Sequence, residues 1–146
     1  MSRLYLLRHG EAEPGGDRDE LRRLTDRGVR QIRQAAGQLP ASGLTLWFSP
    51  YVRAVESARL VREYITPLNE QQADWLIPDA RLSVALEQLE PLQEADLLLV
   101  THNPLVSRLA AALTGETATA VGFGTGSLAR LDGDRMLPGC MTLTWL

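Results

Sequence analysis

The apolar and polar positions alternate between two patterns along this chain. Leu4-Tyr5-Leu6-Leu7 and Leu97-Leu98-Leu99-Val100 are uninterrupted apolar runs. They are too short for helices and read as strands buried on both faces, as in parallel sheets. Leu44-Thr45-Leu46-Trp47-Phe48 predicts another strand,. Between and after these runs the apolar residues take helical spacing. Thr25 is the expected cap of a helix carrying Val29, Ile32, Ala36 and Leu39, ended by Pro40 and Gly43, with Arg27, Arg30 and Arg33 facing outward,. Ser49 as cap and Pro50 at the first helical position open a second, whose packing stripe is Ala54, Ser57, Ala58, Val61 and Ile65,. Leu82, Leu86 and Leu89 mark a third from Leu82 to Gln93, ended or bent by Pro91,. Asn103 and Pro104 start a fourth, with Leu105, Leu109, Ala112 and Leu113, running to Gly115,.

This alternation predicts an α/β fold, a mainly parallel sheet flanked by helices. The tail differs. Ser127 to Leu131, a turn at Asp132-Gly133-Asp134 and Met141 to Trp145 predict a C-terminal antiparallel hairpin,. Gly122, Gly124 and Gly126 precede a strand-like segment, so they are not a dinucleotide-binding fingerprint,. Trp75 to Pro78 reads as a short edge strand limited by its proline, and Ala12 to Glu20 as a loop,.

At 146 residues without repeats, the chain is expected to form one domain spanning 1–146,. All 15 basic residues are arginine, set against 18 acidic ones for a net charge of −3, and they are scattered. No nucleic-acid partner is expected from that distribution. Without lysine there is no lysine Schiff base and no lysine-bearing phosphate loop, so arginine must grip any phosphate,. A single cysteine, Cys140, excludes an internal disulfide,. No apolar run reaches the length of a signal-peptide core or a membrane span,. The expected setting is cytoplasmic, with no membrane partner.

Candidate chemistry gathers where the apolar strands stop. Arg8, His9, Gly10 and Glu11 follow the first run directly, and Thr101, His102 and Asn103 follow Val100. Ligands of open α/β sheets bind at the carboxyl ends of strands. These are the chain's two histidines, both in that position. If the two strands are parallel neighbours, His9 and His102 meet in one pocket with Arg8 and Arg53, the latter in the first turn of its helix. Arginine forks fit phosphoryl oxygens, and backbone N–H groups at the helix starts near Ser49 and Asn103 add anion donors. An unprotonated imidazole can attack phosphorus and divide hydrolysis into two displacements. Glu11 and the histidines are also possible metal ligands, but the crowded arginines would repel a cation, so neither metal nor cofactor is expected.

Leu7-Arg8-His9-Gly10-Glu11 resembles the "RHG" signature of the histidine phosphatase superfamily, the phosphoglycerate mutase-like phosphatases. Leu24-Thr25 with Gly28 resembles its "LTxxG" segment. Ser49-Pro50, Arg53-Ala54 and Ser57-Ala58 are similar to its "SPxxRAxxTA" element, and Thr101-His102 with Pro104-Leu105-Val106 to its second-histidine motif. The matches come in family order, and the short chain looks most like the small SixA-type phosphohistidine phosphatases. The resemblance implies a three-layer α/β/α sandwich with helices on both faces of the sheet. It further implies His9 as the phosphorylated nucleophile, Arg8 and Arg53 as phosphoryl clamps and His102 as a transition-state hydrogen-bond partner. Arg22 matches a commonly basic position of the small group, and Arg23 replaces the usual proline.

Larger members carry an acidic proton donor in an insertion for which there is little room between Pro78 and Asp96. Glu87 is the best positional candidate, with Glu11, Asp17, Asp19 or solvent as alternatives. A leaving imidazole has a weak N–P bond and needs only a modest acid, which fits phosphohistidine better than an alkyl phosphate. The expected partner is therefore a phosphohistidine-bearing protein. A phosphatase of a small phosphomonoester, such as a sugar phosphate or nucleotide, and a non-catalytic phosphate-binding module are the alternatives.

Overall fold

The computed structural model describes residues 1–146, the side chain of Ala118 excepted. A six-stranded sheet runs through it, built from β1 (Ser2–Arg8), β2 (Thr45–Phe48), β3 (Asn69–Gln72), β4 (Asp96–Thr101), β5 (Leu128–Gly133) and β6 (Met141–Trp145). The spatial order is β3-β2-β4-β1-β5-β6. The first four of these are mutually parallel, β5 is antiparallel to β1, and β6 is antiparallel to β5.

Side chains alternate across a strand, so a strand buried on both faces feeds two cores. Leu4, Leu6, Leu97 and Leu99 face one side, against α3 (Leu82–Leu89) and α4 (Leu105–Thr114). Tyr5, Leu7, Leu98 and Val100 face the other, against α1 (Asp26–Ala36) and α2 (Val52–Val61). The result is the expected three-layer α/β/α sandwich. Burying each of these leucines contributes about 1.5–3 kcal/mol relative to exposure. No described helix is long and apolar enough to cross a membrane.

Local expectations hold where side chains decide the geometry. The Thr25 side chain caps α1 by accepting the Gly28 N–H, and α4 ends at Gly115 in the left-handed conformation (φ 79°). Four details differ. The helix after β2 starts at Val52, and Ser49 instead accepts the Tyr51 N–H in the preceding turn at 3.2 Å. Asn103 does not cap α4, because its Oδ1 accepts the Ser107 hydroxyl at 2.6 Å. The edge strand is Asn69–Gln72, while Trp75 sits in a single 3-10 turn, Asp74–Leu76. That strand is exposed throughout and held by backbone pairing with β2, so its side chains carry no apolar pattern,. In the hairpin, Asp132 and Gly133 still pair with β6, and the connection is the longer segment 134–140.

Candidate active site

β1 and β4 are parallel neighbours, with Arg8 opposite Thr101. That register brings the next residue of each strand together, and the rings of His9 and His102 lie 4.9 Å apart between centroids. β2 ends beside β4, so the first turn of α2 delivers Arg53 to the same place. All three side chains are sequestered, His9 5% exposed, Arg53 4% and His102 1%.

Hydrogen bonding fixes the tautomer of the His9 ring and the orientation of the His102 ring,. His9 Nδ1 lies 2.7 Å from the Gly10 carbonyl, which only accepts, so Nδ1 carries the proton. Nε2 keeps its lone pair, and Arg53 Nε donates to it at 3.2 Å. His102 Nε2 lies 2.7 Å from Ser49 Oγ. That oxygen also accepts the Tyr51 N–H at 3.2 Å, and with one proton and two lone pairs it serves His102 Nε2 as donor or as acceptor according to the ring's tautomer,. His102 Nδ1 and Arg8 Nε are buried and have no hydrogen-bond partner among the described residues. The Tyr51 ring closes one wall, 5.2 Å from the His102 ring and 5.1 Å from the Arg53 guanidinium carbon.

Burial pushes His9 down to about 4, and the charges of Arg53, Arg8 and Arg22 push the same way against the opposing Gly10 hydrogen bond. His102 falls to about 2, through burial first and then His9, Arg53 and Arg8. Both rings are therefore neutral at physiological pH, and the His9 Nε2 lone pair is unprotonated,. The chain has only these two histidines, so an NMR titration reads them directly. Both are expected to stay neutral at about pH 5.5, where an ordinary imidazole is about 90% protonated. A midpoint near 6.5 for either would contradict this site geometry. The sign for stability follows: the unfolded chain takes up these protons first, so stability is lost as pH falls from about 6.5 through about 4 for His9 and on through about 2 for His102,.

The motif residues around the rings act on the backbone. Gly10 N–H donates to Ser57 Oγ, which donates to the Arg53 carbonyl and ties the loop after β1 to α2. Thr25 N–H donates to the Glu11 carbonyl, drawing the start of α1 against that loop. Gly10 and Gly28 meet backbone to backbone there, and a Cβ on Gly28 would overlap the Glu11 carbonyl. Gly28→Ala is thus expected to cost about 2–3 kcal/mol and to displace the His9 loop, lowering activity as well. Thermal unfolding and a kinetic assay check the two effects, and a variant with unchanged melting would contradict the contact.

Three features of the site have no counterpart in the sequence motifs. The Phe123 carbonyl accepts both Arg8 Nη1 at 2.9 Å and Asn103 Nδ2 at 2.8 Å. Gly126 N–H donates to the carbonyls of Arg8 and His9. Asp19, in a 3-10 turn at Asp19–Leu21, accepts from Arg53 twice: its carbonyl from Nη1 at 2.8 Å and its Oδ2 from Nη2 at 3.2 Å. Glycines at 122, 124 and 126 and the loop 12–20 mark both segments as irregular in sequence, but no residue pattern aims them at the site.

The expected residues divide accordingly. His9, Arg8, Arg53 and His102 converge. Both ends of the Asn103 amide are engaged, with Phe123 and Ser107, and the Ser49 N–H is used by the Val100 carbonyl. Glu11 is half-buried, and its Oε2 accepts the Thr25 hydroxyl. Asp17 is exposed. Burial pushes the Asp19 carboxyl up, but the Arg22 hydrogen bond and the charge and hydrogen bond of Arg53 outweigh it and hold the group below its ordinary value.

Glu87 is exposed and has no hydrogen bond or ion pair to any described site residue. α3 descends from the site end of the sheet toward Gln93, whose carbonyl accepts the hydroxyl of Ser2 at the far end of β1. Glu87 lies in the second half of that helix, whose buried residues are Ala85 and Leu89.

The model of the histidine phosphatase superfamily, branch 1, matches residues 4–77. The chain is 29% identical over 148 residues to a phosphohistidine phosphatase SixA homolog of Haemophilus influenzae, covering 90% of each. Its fold is similar to the protein histidine phosphatase SixA complexed with tungstate, with TM-score 0.85 and 26% identity, over 98% of this chain and 94% of that one. It is also similar to a putative phosphohistidine phosphatase SixA from Agrobacterium tumefaciens, with TM-score 0.78 and 26% identity, over 92% and 94% of the two chains.

Proposed function

This chain belongs to the histidine phosphatase superfamily, and from that premise we propose that residues 1–146 act as one phosphatase domain that removes the phosphoryl group from phosphohistidine on a protein. The observation that carries the mechanism is the neutral His9 ring. Its Nδ1 is pinned to the Gly10 carbonyl, and its Nε2 lone pair faces Arg53.

In the first displacement His9 Nε2 attacks phosphorus, the bond to the leaving imidazole breaks, and that imidazole takes a proton from solvent. Arg8 Nε, the Arg53 guanidinium and His102 Nδ1, in the tautomer that carries the ring proton there, donate to the three oxygens that gain charge in the transition state,. In the second, water attacks the phosphorus of the phosphorylated His9. Phosphate leaves and Nε2 recovers its lone pair. A protonated carboxyl is not required, which suits a leaving group of this kind better than an alkoxide. The similarity to relatives named for phosphohistidine substrates supports the same choice.

The discriminating experiment compares kcat/KM for a phosphohistidine-bearing protein with that for a panel of sugar phosphates and nucleotides. The proposal expects the phosphoprotein to be favoured by at least about tenfold, or 1.4 kcal/mol. A metabolite turned over faster would keep the mechanism and replace the substrate. No turnover of either would leave a phosphate-binding module.

A further inference from the structure

Asp19 holds the donor edge of the arginine that the proposed reaction needs. Arg53 has three nitrogens, and all are engaged: Nε by His9, Nη1 by the Asp19 carbonyl and Nη2 by Asp19 Oδ2. The other carboxylate oxygen, Oδ1, accepts from Arg22 Nη1 at 3.1 Å. One carboxylate thus bridges two guanidinium groups beside the nucleophile, as two oxygens of a phosphoryl group would. Arg22 is itself held, its Nε donating to the Glu13 carbonyl at 2.7 Å, and its charge reaches both His9 and Arg8. The Asp19 side chain is 56% exposed, so it can leave these arginines for water.

Resting on the phosphatase reading, we propose that Asp19 is a specificity-determining residue, an internal competitor that occupies Arg53 and Arg22 and must be displaced by the incoming phosphoryl group. A free phosphate or a small ester brings only its own oxygens to that exchange and recovers little, because one anion replaces another on the same donors. A phosphoryl group carried on a protein brings contacts outside the pocket that offset the displacement. The carboxylate therefore lowers affinity for inorganic phosphate and small phosphomonoesters more than for a phosphoprotein. It also helps to eject the phosphate product. This is the opposite of a proton donor's effect, since removing a donor lowers turnover.

The test titrates inorganic phosphate by calorimetry against the full chain and its Asp19→Asn and Glu20→Gln variants. It also measures kcat/KM for a small phosphomonoester and for a phosphohistidine-bearing protein. Glu20 sits on the same turn and pairs with Arg18, so its variant controls for loss of one charge there. Asp19→Asn is expected to bind phosphate about three- to tenfold more tightly, and Glu20→Gln to stay within about twofold. The small-ester kcat/KM rises with Asp19→Asn, by more than the phosphoprotein value. Equal or weaker phosphate binding by Asp19→Asn, or a fall in kcat on both substrates, overturns the inference. Tighter phosphate binding together with no phosphoprotein turnover by any variant supports the competitor role and removes only the substrate reading.

Discussion

His9→Ala is expected to lower turnover by at least about 10,000-fold, the scale on which removal of a covalent nucleophile acts. The reason is specific to this site. His102 is the only other imidazole, and its two nitrogens are not equivalent to those of His9. Ser49 Oγ engages Nε2 at 2.7 Å, so that nitrogen is not free to take the place of the His9 lone pair. The variant is also expected to stay folded. His9 follows the end of β1, and the strand before it is held by pairing to β4 and β5 on both sides. Steady-state kinetics with an unfolding curve separates the two effects. Activity within about a hundredfold of wild type in a folded variant would sink the covalent mechanism.

Arg53→Ala is expected to lower kcat/KM by about 1,000-fold, most of it in kcat, because the guanidinium is aimed at charge that develops in the transition state. Arg53→Lys should recover little of this. A lysine ammonium is a point charge without the planar fork, and it cannot both reach His9 Nε2 and hold two oxygens as the fork does,. The loss is distinguishable from misfolding because Arg53 is held by His9 and Asp19, both at the site, so its removal leaves the two hydrophobic cores intact. A lysine variant within about tenfold of wild type would show that Arg53 supplies charge alone.

The parts of this site that were legible in the sequence are those governed by strand burial. β1 and β4 are covered on both faces, so they appear as unbroken apolar runs, and the polar residue that ends each run falls at the mouth of the sheet. Their adjacency placed His9 beside His102, and the small residues of α2 left Arg53 free to turn inward. Gly28 was legible as a motif position, but its reason lies in a backbone contact with Glu11 across a turn of chain.

What the sequence hides is governed by backbone atoms and by contacts between distant segments. The exposed edge strand β3 pairs through its main chain and has no apolar pattern. The Phe123 carbonyl that holds Arg8 is 115 residues away from it, and any residue has a carbonyl. Asp19 lies 34 residues from Arg53 in a loop of mixed charge, where nothing in the sequence selects it over Asp17 or Glu20. Glu87 shows the converse. Its position along the chain matches an expected insertion, but it is exposed on α3 and no hydrogen bond or ion pair among the described residues ties it to His9, Arg8, Arg53 or His102.

The most direct measurement is to mix the protein with a radiolabelled phosphohistidine-bearing protein, quench within milliseconds, digest after arginine and map the acid-labile, alkali-stable phosphate. Cleavage there separates the two histidines into the peptides 9–18 and 82–108. Label confined to peptide 9–18, forming and decaying at rates that match turnover, is the predicted result. Label on peptide 82–108, or steady turnover with no protein-bound phosphate at any time, would contradict a phosphorylated His9 intermediate.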